Sequence, residues 1–341
     1  MSAPVNVPPG AVEARHYERL EGNAVRCRLC PRECRLVEGA AGVCRTRRNV
    51  GGRLIYLYYG ACSSVALDPV EKKPLYHFFP GHTILSLGSI GCNLQCAFCQ
   101  NWQIAQSEAE TVPLAPAEVV ELAQERAGEG CIGVAYTYNE PLVGFEFVLD
   151  AARAVREAGL KNVLVTNGEI NPEPFAELLP YVDALNIDVK GFTEDFYREL
   201  CRGRLAPVLR TVETAAARAH VELTNLLIPT KNDSPEEIQA LVEWVAERLG
   251  PDVPLHFSRY FPQYRLDLPA TPLVTLEKAA EIARQRLRYV YLGNVAELEG
   301  SDTRCPECGT TVIRRRGYAV RSLLRGRRCP ACGFVLAVVV E

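Results

Sequence analysis

Gly91-Cys92-Asn93-Leu94-Gln95-Cys96-Ala97-Phe98-Cys99-Gln100-Asn101-Trp102 sets three cysteines at C-x3-C-x2-C spacing directly after an apolar run. Iron-sulfur clusters are as a rule held by four Cys thiolates, so a loop supplying three leaves one iron of a [4Fe-4S] cube open to a ligand that is not protein. The amino and carboxylate groups of a cofactor suit that position. The competing reading is a zinc site completed by a distant His, but zinc sites usually pair their cysteines as two C-x2-C halves.

Around this loop the hydrophobic pattern alternates between strand and helix. Strands are expected at 83–87, 132–138, 161–166, 184–189, 221–228 and 255–257, with one more short strand at 289–292. Helices are expected at 116–126, 142–157, 174–179, 204–219 and 276–287, and another is opened by Ser234-Pro235-Glu236-Glu237, a capping box with Pro at the first helical position. Six βα units imply a parallel sheet with right-handed crossovers, too few for a closed eight-stranded barrel. The expected fold is therefore α/β, a partial, open (β/α)6 TIM-like barrel. It is flanked by an N-terminal Cys-rich metal-binding segment and a C-terminal zinc ribbon, with domains at 1–78, 79–296 and 297–341.

Composition agrees with one large core plus small appendages: 341 residues, 48% hydrophobic, 23% charged and a formal net charge of -3. No apolar leader and no uninterrupted apolar run of membrane-spanning length is present, so neither a signal peptide nor a transmembrane helix is expected. Fourteen cysteines in spaced groups read as metal sites in a reducing cytoplasm rather than as disulfides.

Cys27, Cys30, Cys34 and Cys44 sit in an Arg-rich stretch with no sustained apolar face, which needs a metal to fold; zinc and a second iron-sulfur cluster both suit the spacing. Cys305-Pro306-Glu307-Cys308-Gly309 and Cys329-Pro330-Ala331-Cys332-Gly333 are paired knuckles of a zinc ribbon. Residues 1–10 are Pro-rich and expected to be loose, and residues 12–20 to form a short amphipathic helix. The run from Asp68 to Phe78, with two Pro and four charges, is not expected to be a regular strand. It reads as a loop bringing Lys72, Lys73 or His77 to an active-site mouth or, as its residue types favour, as a solvated connection with a buried aromatic anchor.

The strand ends are polar: Thr137-Tyr138-Asn139-Glu140, Thr166-Asn167-Gly168, Asp188 and Lys190, and His256 within the sixth strand. Together with Cys30-Pro31-Arg32-Glu33-Cys34, Asp68-Pro69-Val70-Glu71-Lys72-Lys73-Pro74, the three-Cys loop and Tyr291-Leu292-Gly293-Asn294, they resemble the radical S-adenosylmethionine (SAM) protein of the AmmeMemoRadiSam system, a relative of pyruvate formate-lyase activating enzymes.

The resemblance implies an enzyme that reductively cleaves SAM to a 5'-deoxyadenosyl radical and abstracts hydrogen from a substrate that sequence does not identify. Cys92, Cys96 and Cys99 would ligate the [4Fe-4S] cluster, with Phe98 against the adenine. Tyr138, Asn139 and Glu140 stand in the place of a Gly-Gly-Glu motif. Thr166, Asn167, Asp188, Lys190 and His256 correspond to further SAM contacts.

A low-potential electron donor such as ferredoxin or flavodoxin is implied, as are Memo-type and AMMECR-type partner proteins, with no membrane partner. A glycyl-radical activase is the alternative, although Val165 stands where activases carry Asp before Thr-Asn-Gly and the short span between Trp102 and Glu118 leaves no ferredoxin-like insert. A nucleic-acid module is a third reading, since residues 301–341 hold eight Arg against three acids, but too few aromatic platforms accompany them.

Overall fold

The computed structural model describes residues 7–295 and 301–341. At its centre is an eight-stranded sheet. β1 (Ser64–Pro69) pairs antiparallel with β2 (Thr83–Gly88) at one edge. From β2 onward every strand is parallel to the one before it, in chain order: β3 (Cys131–Tyr136), β4 (Lys161–Thr166), β5 (Ala184–Asp188), β6 (His220–Leu227), β7 (Leu255–Arg259) and β8 (Val290–Gly293). These strands are Val-, Ile- and Leu-rich without strict alternation because both faces are covered.

The crossovers carry α1 (Pro116–Glu125), α2 (Phe145–Glu157), α3 (Pro172–Leu178), α4 (Leu205–Ala216), α5 (Pro235–Arg248) and α6 (Leu273–Arg284). Their starts follow the capping chemistry of the sequence: Ser234 Oγ accepts the Glu237 N–H at 3.2 Å, and Pro opens α1, α3 and α5. A parallel sheet in simple order puts every strand's C-terminal end on one rim, which gathers residues far apart in sequence.

Residues 12–20 are not a helix. Val12–Glu13 pairs with Arg53–Tyr56, and Tyr17–Arg19 pairs with Val25–Cys27. Val12 and Ala14 are spaced by two, Ala14 is buried, and its N–H donates to Leu54 O at 2.8 Å, so an available sheet edge prevails over a weak helical pattern.

The run after Val65 differs too. β1 extends through Asp68 and Pro69, Pro being tolerated at the end of an edge strand, and the following turn is packed inward rather than solvated. Glu71, Lys73 and His77 are 4%, 1% and 0% exposed.

The C-terminal strands Thr303–Arg304, Thr311–Arg316 and Ala319–Ser322 form an antiparallel sheet whose core is continuous with Tyr289 and Tyr291. The chain end is tied back by hydrogen bonds from Val339 N to His77 O (2.7 Å) and from Phe79 N to Val339 O (2.8 Å). Arg315, one of the basic run, is buried here and donates to Tyr76 O at 2.6 Å, so it is not part of a solvent-facing charge patch. The expected looseness at 1–6 and the boundary at 296/297 lie outside the described residues. Among the described residues no helix is long and apolar enough to cross a membrane.

Candidate functional site

A cavity of about 550 Å³ opens at the C-terminal rim of the sheet. Cys92, Cys96 and Cys99 line it, together with Phe98, Tyr138, Asn139, Glu140, Thr166, Asn167, Asp188 and Lys190. Every site residue expected at this rim is therefore in one place except His256.

The loop bearing the three cysteines is held by its own backbone. Gln95 N donates to Cys201 O and Ala97 N to Leu200 O, each at 2.9 Å, while Gly91 N donates to Ile104 O at 2.9 Å. Leu94 N–H points at Cys92 Sγ (3.3 Å), and Asn167 Nδ2 approaches the same sulfur at 3.6 Å. Trp102 stacks on Tyr264 with ring centroids 5.4 Å apart, tying the loop's far end to the connection after β7.

Gly91 (φ +89°) is where this loop meets the N-terminal segment: a Cβ there would stand 2.4 Å from Thr46 Cγ2 and 2.6 Å from Cys44 O. Gly91→Ala is accordingly expected to lose about 1–3 kcal/mol of stability and much of the bound iron. Iron content after anaerobic reconstitution, set beside the melting temperature, checks this.

Glu140 ties the ends of β3 and β4 together. Its carboxylate accepts from Thr166 Oγ1 (2.7 Å), Leu142 N (3.0 Å) and Asn167 N (2.8 Å). Burial pushes its pKa up to about 7, those hydrogen bonds opposing only in part. A carboxyl whose folded pKa is raised contributes stability below its unfolded pKa, and that contribution is lost as pH rises to about 7. Glu140→Gln should therefore flatten the fall in thermal stability between about pH 4.5 and 7. An unchanged slope in thermal melts across that range would refute this assignment.

Tyr138 has φ 72°, a conformation glycine adopts without strain. Its backbone oxygen accepts from Asn101 Nδ2 at 2.7 Å, and its hydroxyl donates to Asp68. Asp68 also accepts from Lys72 (2.8 Å) and Lys73 (2.6 Å), and Lys73 Nζ lies 4.5 Å from the Tyr138 ring centre. Burial opposes ionisation of Asp68, but these three donors outweigh it and hold the carboxyl well below the usual carboxylate range. Lys190 is paired with Asp188 at 2.9 Å; burial works against its charge, and Asp188 more than restores it.

Lys72, Lys73 and Pro74 line the cavity, whereas His77 is turned to Tyr291 Oη (2.6 Å) and Ala337 O (2.8 Å). Sequence reasoning quoted Asp68 only as part of a motif and missed it as the partner of Tyr138 and both lysines. The signal was a carboxylate four and five residues before two lysines.

His256 does not reach the cavity. It shares a strand face with Ser258, which does line it, but stands two residues nearer the strand start. At that level it is buried and bonds Glu222 through Nε2 at 2.6 Å. Glu222, absent from the sequence reading, also accepts from Tyr76 N (3.0 Å), His77 N (2.7 Å) and His220 Nε2 (3.0 Å). This buried layer lies beneath the cavity rather than in it.

The cysteine groups differ in spacing. Cys305, Cys308, Cys329 and Cys332 bring four sulfurs within 4.8 Å of one another, with Cys305–Cys332 and Cys308–Cys329 at 3.6 and 3.7 Å. One tetrahedral ion with metal–sulfur bonds of about 2.3 Å needs sulfurs roughly 3.8 Å apart, so the residues fit a single metal ion. Among the described residues no other three Cys, His, Asp or Glu ligands meet that spacing, so Cys92, Cys96 and Cys99 stand wider apart, as a multi-iron cube requires.

Residues 87–245 match the Radical SAM superfamily. Over 337 residues the chain is 43% identical to an uncharacterized protein of Methanocaldococcus jannaschii, covering 96% of this chain and 99% of that one. It is 26% identical over 159 residues to the pyruvate formate-lyase-activating enzyme of Clostridium pasteurianum, spanning 44% of this chain and 64% of that enzyme. Among solved structures, Streptococcus suis SuiB bound to S-adenosylmethionine shares the fold at 16% identity and a TM-score of 0.51, covering 66% of this chain and 54% of that one. Three cysteines at the rim of a parallel α/β sheet and these likenesses lead to one conclusion: residues 87–245 form a domain of the radical SAM superfamily, whose members are enzymes, with homology to activating enzymes.

Proposed function

We propose that the chain cleaves SAM reductively at a [4Fe-4S] cluster held by Cys92, Cys96 and Cys99 and abstracts hydrogen from a substrate bound in the 550 Å³ cavity. The observation that carries this reading is the convergence of the three thiols with Phe98, Glu140 and Asn167 on one cavity at the strand ends. When bound, the cluster supplies one electron to the sulfonium, so that the S–C5' bond breaks into methionine and a 5'-deoxyadenosyl radical.

The protein's part is placement and exclusion of water. Phe98 offers an apolar wall for adenine, and Asn167 a side-chain amide for the ribose. Tyr138 to Glu140 offer backbone groups whose position is fixed through Asn101 and Thr166. Lys72 and Lys73, both paired with Asp68 behind them, face the cavity from the strand β1 side and suit an anionic substrate group.

In this reading the core is an open (β/α) barrel spanning about 79–296, the last cysteines form a zinc ribbon, and the first 78 residues are the metal-binding cover. The protein works in the cytoplasm with ferredoxin or flavodoxin as donor, within an AmmeMemoRadiSam system beside Memo-type and AMMECR-type partners. Kinship with activating enzymes supports a second reading, activation of a glycyl-radical enzyme; Val165 in the cavity wall, where activases carry Asp, speaks against it.

Measuring 5'-deoxyadenosine release while adding small-molecule and macromolecular lysate fractions separates the two. Stimulation by small molecules alone supports a metabolite substrate. Stimulation only by a protease-sensitive fraction overturns that in favour of a protein target.

A further inference from the structure

We infer that Cys27, Cys30, Cys34 and Cys44 hold a second [4Fe-4S] cluster, one ligated entirely by protein, against the back of the three-cysteine loop. All four line a single cavity, with Arg32, Arg47 and Asn93 in its wall beside Leu29, Leu36 and Val143. The chain carries its own ruler for deciding between one ion and a cube. The C-terminal cysteines have closed to 3.6 and 3.7 Å, single-ion spacing. No three of the N-terminal sulfurs lie within 4.8 Å of one another, although they share a cavity. Cys92, Cys96 and Cys99 likewise miss single-ion spacing, and a cube that gives each thiolate its own iron holds its sulfurs further apart than one ion does.

The cavity wall also expects an anion. Arg32 Nη2 and Arg47 Nε are buried without a hydrogen-bond partner, while Arg32 Nε donates to Asn93 O (3.0 Å) and both Arg47 Nη groups donate to Glu146 (2.6 and 3.0 Å). Leaving buried guanidinium donors unpaired is costly, whereas a cube with four thiolates is anionic and bears sulfide acceptors. Thr46 Oγ1 donates to Cys44 Sγ at 3.2 Å, and hydrogen bonds to sulfur are one means of setting a cluster's potential.

Four cysteines leave no iron open to SAM, so this cluster stores and passes electrons. It takes one electron from a reduced low-potential iron-sulfur or flavin protein, which is oxidised by one electron. It then gives that electron to the cluster at the three-cysteine loop. The two loops share a wall: Arg32 bonds the backbone of Asn93, the neighbour of Cys92, and Gly91 packs on Cys44 O.

The test removes the SAM site. The triple variant Cys92→Ala, Cys96→Ala, Cys99→Ala, reconstituted anaerobically, should bind about four iron and four sulfide beside about one zinc, and give a one-electron-reduced paramagnetic signal that SAM leaves unchanged. No iron together with about two zinc would overturn the inference. If the triple variant does not fold, metal analysis of the unaltered protein decides. About eight iron and one zinc support the second cluster, and about four iron and two zinc contradict it. Cys30→Ala with Cys34→Ala should remove about four iron and leave a SAM-responsive signal. Because the triple variant lacks the proposed SAM site, its iron content reports on the second cluster alone, whatever becomes of the SAM reading.

Discussion

Cys96→Ala is expected to abolish SAM cleavage, with product falling by at least about 10³-fold, to the background of the reductant alone. Cys96 is the most enclosed of the three loop cysteines, packed against the Cys201 thiol and held between the two backbone hydrogen bonds from Gln95 and Ala97 to residues 200–201. Contact with Cys201 and burial push its thiol pKa up in the metal-free state, and iron binding must displace that proton. Alanine leaves the loop with two thiolates. Because backbone contacts rather than the sulfur shape the loop, the variant should stay folded while losing about four iron. Iron content, 5'-deoxyadenosine yield and circular dichroism together check the effect. Wild-type turnover in a folded variant would place the cluster elsewhere.

Glu222→Gln should be the most destabilising conservative change in the core, costing about 3–5 kcal/mol and lowering the melting temperature by roughly 5–15 °C. The carboxylate is fully buried and accepts from two backbone N–H groups and two histidines. Burial opposes its charge, but His220 and His256 together hold its pKa well below the carboxylate range. A depressed folded pKa means that this contribution is present above the unfolded value of 4.5 and lost as pH falls below it. Glutamine keeps the volume but turns an NH2 group toward donors, leaving buried N–H groups unpaired. The change should also loosen Tyr76 and His77, and through them the packing of the C-terminal sheet, without altering the cavity residues. A melt within about 1 °C of wild type would show that the layer is not the anchor described here.

The parts of the site that could be read from sequence are those fixed locally. The C-x3-C-x2-C loop carries its geometry in a dozen residues, and residues following apolar strands arrive at one rim because a parallel sheet puts them there. The knuckles at Cys305 and Cys329 were legible for the same reason. What stayed hidden depends on partners distant in sequence. His256 lies on the correct strand face, but the depth at which the cavity begins is set by Thr224 and Ser258, and no local pattern states it. Lys73 and Glu71 read as solvated charges because their buried partners, Asp68 with Tyr138 and Gly81 with Arg315, become neighbours only after the sheet forms. Val12 to Leu20 became strands because Arg53–Tyr56 and Val25–Cys27 offered edges to pair with.

The central claim is that Cys92, Cys96 and Cys99 hold a cluster on which SAM is cleaved. Its most direct test is anaerobic incubation of the reconstituted protein with SAM and a strong one-electron reductant, quantifying 5'-deoxyadenosine and methionine against cluster content. Equimolar products, formed only when reductant is present, are predicted. An intact, reducible cluster that yields neither product would contradict the account.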